Sequence, residues 1–235
     1  MKNPLRRWAE LTPELLDDPR ADGEVVVASL RDIVRINRAF GGSRAAVTGF
    51  DDFLRTAWPG TRTLLDVGTG LGDIPRAICR RAATRGIELR VIGLERHPAA
   101  ARAAAAEGGM LPLVGDGARL PFRSRSIDFA MCAKLLHHLP GAAGDALLKE
   151  LDRVARLGVV IVDLQRSALA AAGIWLASFP MRFQRTTRRD GVISVLRGFS
   201  ADELRRRCAG VGVSARVRAH PGWTLTAAWR PGSPA

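Results

Sequence analysis

The stretch LLDVGTGLGDIP, residues 64–75, decides the fold of this chain. It begins with a short apolar run typical of a buried strand, and three glycines follow at alternating positions, Gly68, Gly70 and Gly72. Glycine adopts backbone conformations that other residues avoid, and it lets a ligand approach the main chain closely. A glycine-rich loop that leaves a strand therefore predicts a site for a nucleotide-like ligand at the carboxyl end of that strand.

Strand and helix patterns alternate on both sides of this loop, which predicts a doubly wound, mostly parallel α/β sheet with right-handed crossovers. A final pair of strand patterns joined around Pro-Gly-Trp predicts an antiparallel C-terminal hairpin, which brings the sheet to seven strands. The strand-like runs lie at residues 63–67, 88–95, 111–116, 127–133, 158–164, 214–220 and 224–230.

The rest of the chain predicts helical additions to this sheet. Residues 1–60 have mixed helical patterns and predict an N-terminal cap or lid, in which Thr12 caps a helix that starts at Pro13. The sheet domain takes up residues 61–230. It includes a lid insertion at about 165–199, because that stretch is too long for a simple connection. The last residues, 231–235, are predicted to be a disordered tail.

Composition and charge restrict the class of protein without deciding it. No apolar run is long enough to span a bilayer, and the N-terminus lacks the apolar core of a secretory signal, so we expect a cytoplasmic protein. The three cysteines are far apart and form no CxxC pair, which argues against disulfides and a thiolate metal site.

The net charge of +13 comes almost wholly from arginine. The arginines are spread along the chain, with local clusters at 76–85, 182–189 and 205–207, and no aromatic residues alternate with them. This distribution favours ordinary solvated faces, while RNA binding stays open.

The acids around the glycines argue against a phosphate ligand. The chain has no GxxxxGK segment, and Asp73 occupies the position of the third glycine in a dinucleotide fingerprint. Asp66 precedes the loop, so carboxylates flank it on both sides. A phosphate would be repelled there, whereas a ligand with an ammonium and a sulfonium group would not.

The segment DVGTGLG after an apolar strand resembles the first motif of the class I S-adenosylmethionine (SAM)-dependent methyltransferases. Further motifs at 91–98 and 113–132 support the resemblance, which covers roughly residues 64–162 and is greatest to the ubiquinone, menaquinone and natural-product branch. It implies SAM as cofactor, with Asp66 at the amino-acid end, Glu95 on the ribose hydroxyls and Asp116 at the adenine. The implied cofactor-binding set is Asp66, Gly68, Thr69, Gly70, Gly72, Glu95, Arg96, Asp116, Gly117 and Ala133.

The same resemblance implies an acceptor site beyond the fourth strand, where the sequence reads AKLLHHLP. His137 or His138 is the candidate catalytic base, since an imidazole can exchange protons near neutral pH. We expect a small-molecule acceptor, phenolic, quinone-like or polyketide-like, methylated on oxygen or carbon. RNA as acceptor and a non-catalytic SAM-binding subunit are the alternatives. We expect no metal, because clustered acids do not follow the fourth strand. The oligomeric state is open.

Overall fold

The computed structural model describes residues 4–232. Within that range the α-helices are α1 (Pro4–Leu11), α2 (Gly23–Ala39), α3 (Gly42–Thr56), α4 (Asp73–Ala83), α5 (Pro98–Glu107), α6 (Ala142–Val154), α7 (Ala168–Ala177), α8 (Arg185–Arg197) and α9 (Ala201–Gly210). The strands are β1 (Gly60–Val67), β2 (Ile87–Glu95), β3 (Leu111–Val114), β4 (Ile127–Ala133), β5 (Ala155–Leu164), β6 (Arg216–His220) and β7 (Thr224–Trp229).

The seven strands form one sheet in the order β3-β2-β1-β4-β5-β7-β6. β1 to β5 run parallel, and β7 pairs antiparallel with both β5 and β6. The predicted α/β fold, its strand number and its C-terminal hairpin are therefore confirmed. The chain order reverses direction across the sheet at β1 and β4, and open α/β sheets bind ligands at such a point, beyond the carboxyl ends of the strands.

Successive residues of β1 point to opposite faces of the sheet, and each face has its own apolar core. Leu65 packs into the cluster that contains α6 and α9, whereas Leu64 packs with α3 and α4 on the other side. Both leucines are fully buried. β5 is apolar at successive residues because helices cover both faces of this central strand.

Helices beyond the sheet close over the carboxyl edge of the strands. α7 and α8 lie within the stretch that follows β5, and they share an apolar cluster with Ala9 of α1. α2 packs against the glycine loop and α5 through Val26, Leu30, Leu71 and Ala100. These helices form what we call the lid: α1, α2, α7, α8 and the segment between α1 and α2.

The expected helix at Thr12 and Pro13 is wrong. The chain forms only a single 3-10 turn, Leu15–Asp17, with Glu14 as its N-cap residue. The hydroxyl of Thr12 donates to the carbonyl of Trp8 at 2.7 Å, so it is engaged with the preceding helix and cannot cap a following one. Of the predicted disordered tail, residues 233–235 lie outside the described range.

Candidate active site

The glycine loop between β1 and α4 has the backbone conformation that its sequence requires. Gly68, Gly70 and Gly72 have φ values of +72°, +54° and +72°. Residues other than glycine rarely adopt positive φ values. A Cβ atom on Gly68 would lie 3.0 Å from Cδ2 of Leu135. Gly68 and Gly70 line the cleft beyond the strands, whereas Gly72 is the N-cap of α4 and packs closely against Met110.

Asp66, the penultimate residue of β1, is buried beneath this loop. Its Oδ2 accepts a hydrogen bond from the hydroxyl of Thr69 at 2.8 Å, but its Oδ1 has no hydrogen-bond partner among the described residues. Burial, assisted by the charges of Asp73 and Glu95, raises the pKa of Asp66 to about 7. Oδ1 is therefore a buried acceptor that a cationic ligand group can satisfy.

Glu95, at the end of β2, is oriented by backbone amides. Gly70 N donates to its Oε2 at 3.0 Å, and Arg96 N donates to its Oε1 at 2.8 Å. The guanidinium of Arg96 instead binds the carbonyl of Asp17 at 2.7 Å, so it joins the lid to the cofactor side. Asp116 is exposed at the cleft wall and accepts from Ala118 N at 2.9 Å.

A single cleft of about 380 Å³ brings the predicted residues together. Except for Gly72, every residue predicted to bind the cofactor lines this cleft, and so do His137 and His138. The sheet explains this convergence, because the carboxyl ends of β1, β2 and β4 lie side by side. The lid helices supply most of the remaining wall, which is largely apolar.

Ala133 is the last residue of β4, and Lys134 follows it directly. Lys134 has a φ of +52°, and its amide donates to the carbonyl of Val162 at 2.7 Å. Burial lowers the pKa of its amine, although the carboxylates of Asp163 and Asp73 act in the opposite direction. Asn37 of α2 donates to Asp73 at 3.1 Å while its own carbonyl oxygen has no partner within residues 4–232. Lys134 and Asn37 both line the cleft.

His137 forms a buried pair with Asp163, which lies near the end of β5. Nδ1 of the imidazole is 2.6 Å from Oδ1 of Asp163, and the backbone N of His137 donates to Oδ2 at 3.2 Å. Although burial alone would raise the pKa of Asp163, the charge and hydrogen bond of His137 lower it. Nε2 of His137 is buried and has no hydrogen-bond partner among the residues described.

His138 lies against His137, with ring centroids 4.2 Å apart, but it faces the lid. Its Nδ1 is 2.8 Å from Oδ1 of Asp17, and its Nε2 is 3.9 Å from Oε2 of Glu14. Burial would raise the pKa of Asp17, but the hydrogen bonds from His138, the Glu14 amide and Arg197, together with the charge of His138, outweigh it and lower that pKa. Arg197 of α8 completes the group, with Nη1 2.9 Å from Oε1 of Glu14 and 3.0 Å from Oδ2 of Asp17.

Sequence reasoning did not identify the partners of the two histidines. The sequence did contain an indication for Asp163. This residue lies near the end of a continuous apolar strand, in the same position that Asp66 has on β1. Glu14 and Asp190 had none, since each belongs to a segment whose place over the sheet depends on tertiary packing. Both are largely buried in the cleft wall.

Many of the arginines are paired with carboxylates, and these pairs occur in each of the clusters predicted from sequence. Such pairs reduce the positive potential available to a polyanion. The ion pairs are Arg76–Glu107, Arg81–Asp51, Arg189–Asp190, Arg205–Asp202 and Arg207–Asp145.

Comparison with known proteins agrees with this fold. Residues 65–162 match the family described as "Methyltransferase domain". An "uncharacterized methyltransferase" of Mycobacterium sp. (strain JLS) is 31% identical over 122 residues, which cover 52% of this chain and 42% of that protein. The chain therefore matches less than half the length of that curated relative.

Two solved structures share the fold. A SAM-dependent methyltransferase from Aquifex aeolicus is 17% identical with a TM-score of 0.56, over 83% of this chain and 95% of that one. Human N-acetylserotonin methyltransferase in complex with SAM is 13% identical with a TM-score of 0.64, over 99% of this chain and 63% of that one.

The methyltransferase domain matched at residues 65–162, the curated methyltransferase relative and the seven-stranded sheet shared with the solved structures together support a class I SAM-dependent methyltransferase. SAM is the cofactor named for both solved neighbours. The residues present fit it, because the unsatisfied Oδ1 of Asp66 and the close approach allowed by Gly68 suit a ligand with a cationic amino-acid end. Within residues 4–232, no helix is both long and apolar enough to cross a membrane.

Proposed function

We propose that this protein catalyses methyl transfer from SAM to an oxygen or activated carbon of a small-molecule acceptor. SAM supplies a methyl group bonded to a positively charged sulfur. The acceptor nucleophile attacks the methyl carbon from the side opposite the sulfur, and the sulfur leaves. The chain binds this cofactor with the set predicted from sequence: Asp66 at the amino-acid end, Glu95 at the ribose, Asp116 and Gly117 near the adenine. Gly68 and Gly70 allow close approach, and Thr69, Arg96 and Ala133 complete the walls of the cleft.

The observation that carries the proposal is the free Nε2 of His137. The buried Asp163 holds Nδ1 at 2.6 Å, which fixes the ring, while Nε2 has no partner within the described chain. An imidazole oriented in this way can accept the proton of a hydroxyl group, as a general base does. His137 is thus the proposed base, with Asp163 as its positioning residue. His138 lines the acceptor part of the cleft beside it.

The apolar lid supports a small, largely apolar acceptor. Phe40 and Ile174 line the cleft beside the histidines, together with Val195 of α8. Side chains of this kind bind rings and alkyl chains by removing their surface from water. They favour the phenolic, quinone-like or polyketide-like acceptors expected from sequence over a charged polymer.

The test is methyl transfer to a panel of phenols and hydroxyquinones, followed by mass spectrometry. We expect a product with one added methyl group, and a fall in kcat of about 10²–10⁴-fold in His137→Gln, with SAM affinity unchanged. Asp163→Asn should change the pH profile as well as kcat, because it leaves the base present but wrongly held. His220→Gln is the matched control, since His220 binds Thr226 on the sheet edge and does not line the cleft.

Three results would contradict the proposal. Absence of SAM binding by calorimetry would overturn the cofactor assignment. Transfer to RNA but to no small molecule would favour the RNA alternative. SAM binding without transfer to any acceptor would favour a non-catalytic SAM-binding subunit.

A further inference from the structure

The acceptor end of the cleft contains three groups that can bind a metal ion. Ligand atoms of Glu14, His137 and His138 all lie within 4.8 Å of one another. Two of them, Nε2 of His138 and Oε2 of Glu14, are 3.9 Å apart. Ligands of a tetrahedral zinc-type ion are about 3.4 Å apart, so side-chain rotations of roughly 1 Å would close the site.

Both imidazoles are held in the way that metal-ligating histidines are held. Nδ1 of His137 binds Asp163 at 2.6 Å, and Nδ1 of His138 binds Asp17 at 2.8 Å. A carboxylate on Nδ1 fixes the ring and the tautomer, which leaves the lone pair of Nε2 for a metal ion. Two separate carboxylates do this for two adjacent rings.

A second, independent observation points to a missing ligand. The side chain of His137 is 1% exposed, and its Nε2 has no hydrogen-bond partner in the described part of the chain. Buried polar atoms are rarely left without a partner, so such an atom needs an explanation. A metal ion bound between the three groups would satisfy it.

The surrounding charge is compatible with a cation. Four carboxylates face the two imidazoles from three parts of the chain, and three basic groups lie among them, so the acids are in excess when the imidazoles are neutral. Arg197 approaches Oε1 of Glu14, whereas Oε2 accepts a hydrogen bond from the hydroxyl of Ser194 and keeps a second lone pair for a metal ion. The acids are Glu14, Asp17, Asp163 and Asp190, and the basic groups are Arg197, Arg189 and Lys134.

We propose that Glu14, His137 and His138 bind one divalent transition-metal ion of the zinc class in the acceptor pocket. Two imidazoles and one carboxylate suit Zn²⁺ and Co²⁺, and three protein ligands leave an open position. With the ion bound, Nε2 of His137 would be a ligand in place of its role as base. An oxygen of the acceptor can occupy the open position, where the ion would lower the pKa of the bound hydroxyl so that its proton passes to water. This assignment rests on the proposed function for the identity of the pocket. It differs from the sequence expectation of no metal because Glu14 comes from the lid.

The test is a Co²⁺ titration of tag-free protein after treatment with a chelator, followed by visible absorption. We expect one Co²⁺ per chain with the absorption of a low-coordinate site, and displacement of Co²⁺ by Zn²⁺. Glu14→Gln and His138→Gln should abolish the absorption. Asp17→Asn keeps all three ligands but removes the carboxylate that orients His138 and also pairs with Arg197, and it should weaken binding by roughly 10–100-fold. His220→Gln should bind like the natural chain.

Calorimetry with SAM on the same samples separates the two proposals. A variant that still binds SAM is folded, so its loss of Co²⁺ binding can be assigned to the metal site. Absence of saturable Co²⁺ binding in the natural chain, or binding that survives Glu14→Gln, overturns the metal site while SAM binding is retained. Absence of SAM binding in the natural chain overturns the proposed function instead.

Discussion

The glycine-loop side of the cleft and the lid side differ in how their polar groups come together. On the glycine-loop side, the residues from Asp66 to Gly117 lie at the ends of neighbouring parallel strands, so the sheet alone brings them together. On the lid side, Glu14, His138 and Arg197 come from three distant segments. The arrangement on the glycine-loop side follows from strand pairing, whereas the arrangement on the lid side forms only when the lid helices pack over the sheet.

This difference has an electrostatic consequence. Among the described residues, no opposite charge pairs with the buried carboxylate of Asp66, and its pKa is raised because burial penalises the ionised form. The acids of the lid side are paired with Arg197 and the histidines. We therefore expect substitutions on the lid side to change stability, and substitutions on the glycine-loop side to change cofactor binding.

The largest expected effect is that of Arg197→Met on stability. The Arg197 side chain is 10% exposed, contacts Glu14 and Asp17, and donates to the carbonyls of Ala9 and Thr12. Its removal leaves buried carboxylates without their cation, which should lower the free energy of unfolding by about 3 kcal/mol. Thermal and urea unfolding measure this change.

Arg205→Met is the matched control for that experiment. Arg205 pairs with Asp202 within α9, and its side chain is 54% exposed. An exposed pair of this kind contributes little, so the change should be less than about 0.5 kcal/mol. Equal losses in the two variants would show that the lid does not depend on Arg197.

Gly68→Val should reduce SAM affinity by about 100-fold, which corresponds to roughly 2.7 kcal/mol. The substituted residue would need a φ of +72°, and its Cβ would be 3.0 Å from Leu135, so the loop would have to move. Calorimetry with SAM measures the effect. Gly210→Ala is the control, because a Cβ there meets nothing within 4 Å. Unchanged affinity in Gly68→Val would place the cofactor away from the loop.

The smallest expected effect is a pH dependence of SAM binding that comes from Asp66. A raised pKa means that the folded, ligand-free chain binds more protons than the unfolded chain between the ordinary value of 3.8 and about 7. Stability of the ligand-free chain attributable to Asp66 should therefore fall as pH rises through that window. A cationic ligand group prefers ionised Asp66, so SAM affinity should fall below pH 7, by at most about tenfold per unit.

Asp66→Asn is the control that isolates this dependence. The variant should bind SAM more weakly at neutral pH but with a flatter pH profile between about 5 and 7, because it has no proton to lose. Calorimetry at several pH values measures both. A profile that stays equally steep in Asp66→Asn would assign the dependence to another group.

Sequence reasoning predicted the sheet and the glycine-loop side because both depend on local patterns. The apolar strand, the alternating glycines and the acid before them lie within a few residues of one another, and parallel pairing follows from the alternation of strands and helices. The capping box at the start of α9 is also local, because it joins Ser200 and Glu203, which are three residues apart. The prediction of a helix capped by Thr12 failed because the hydroxyl of Thr12 donates to the preceding helix, α1.

The amino-acid sequence by itself determined the fold class, the cofactor loop and the two adjacent histidines. Only the tertiary structure decided which groups those histidines meet, since Glu14, Asp17 and Arg197 reach them through packing of α1 and α8 over the sheet. Such contacts depend on side-chain shape and burial between residues far apart in the sequence. Periodic patterns of apolar residues do not predict them. The cofactor that this protein binds follows from its sequence, whereas the chemistry of its acceptor pocket follows from how its lid is packed.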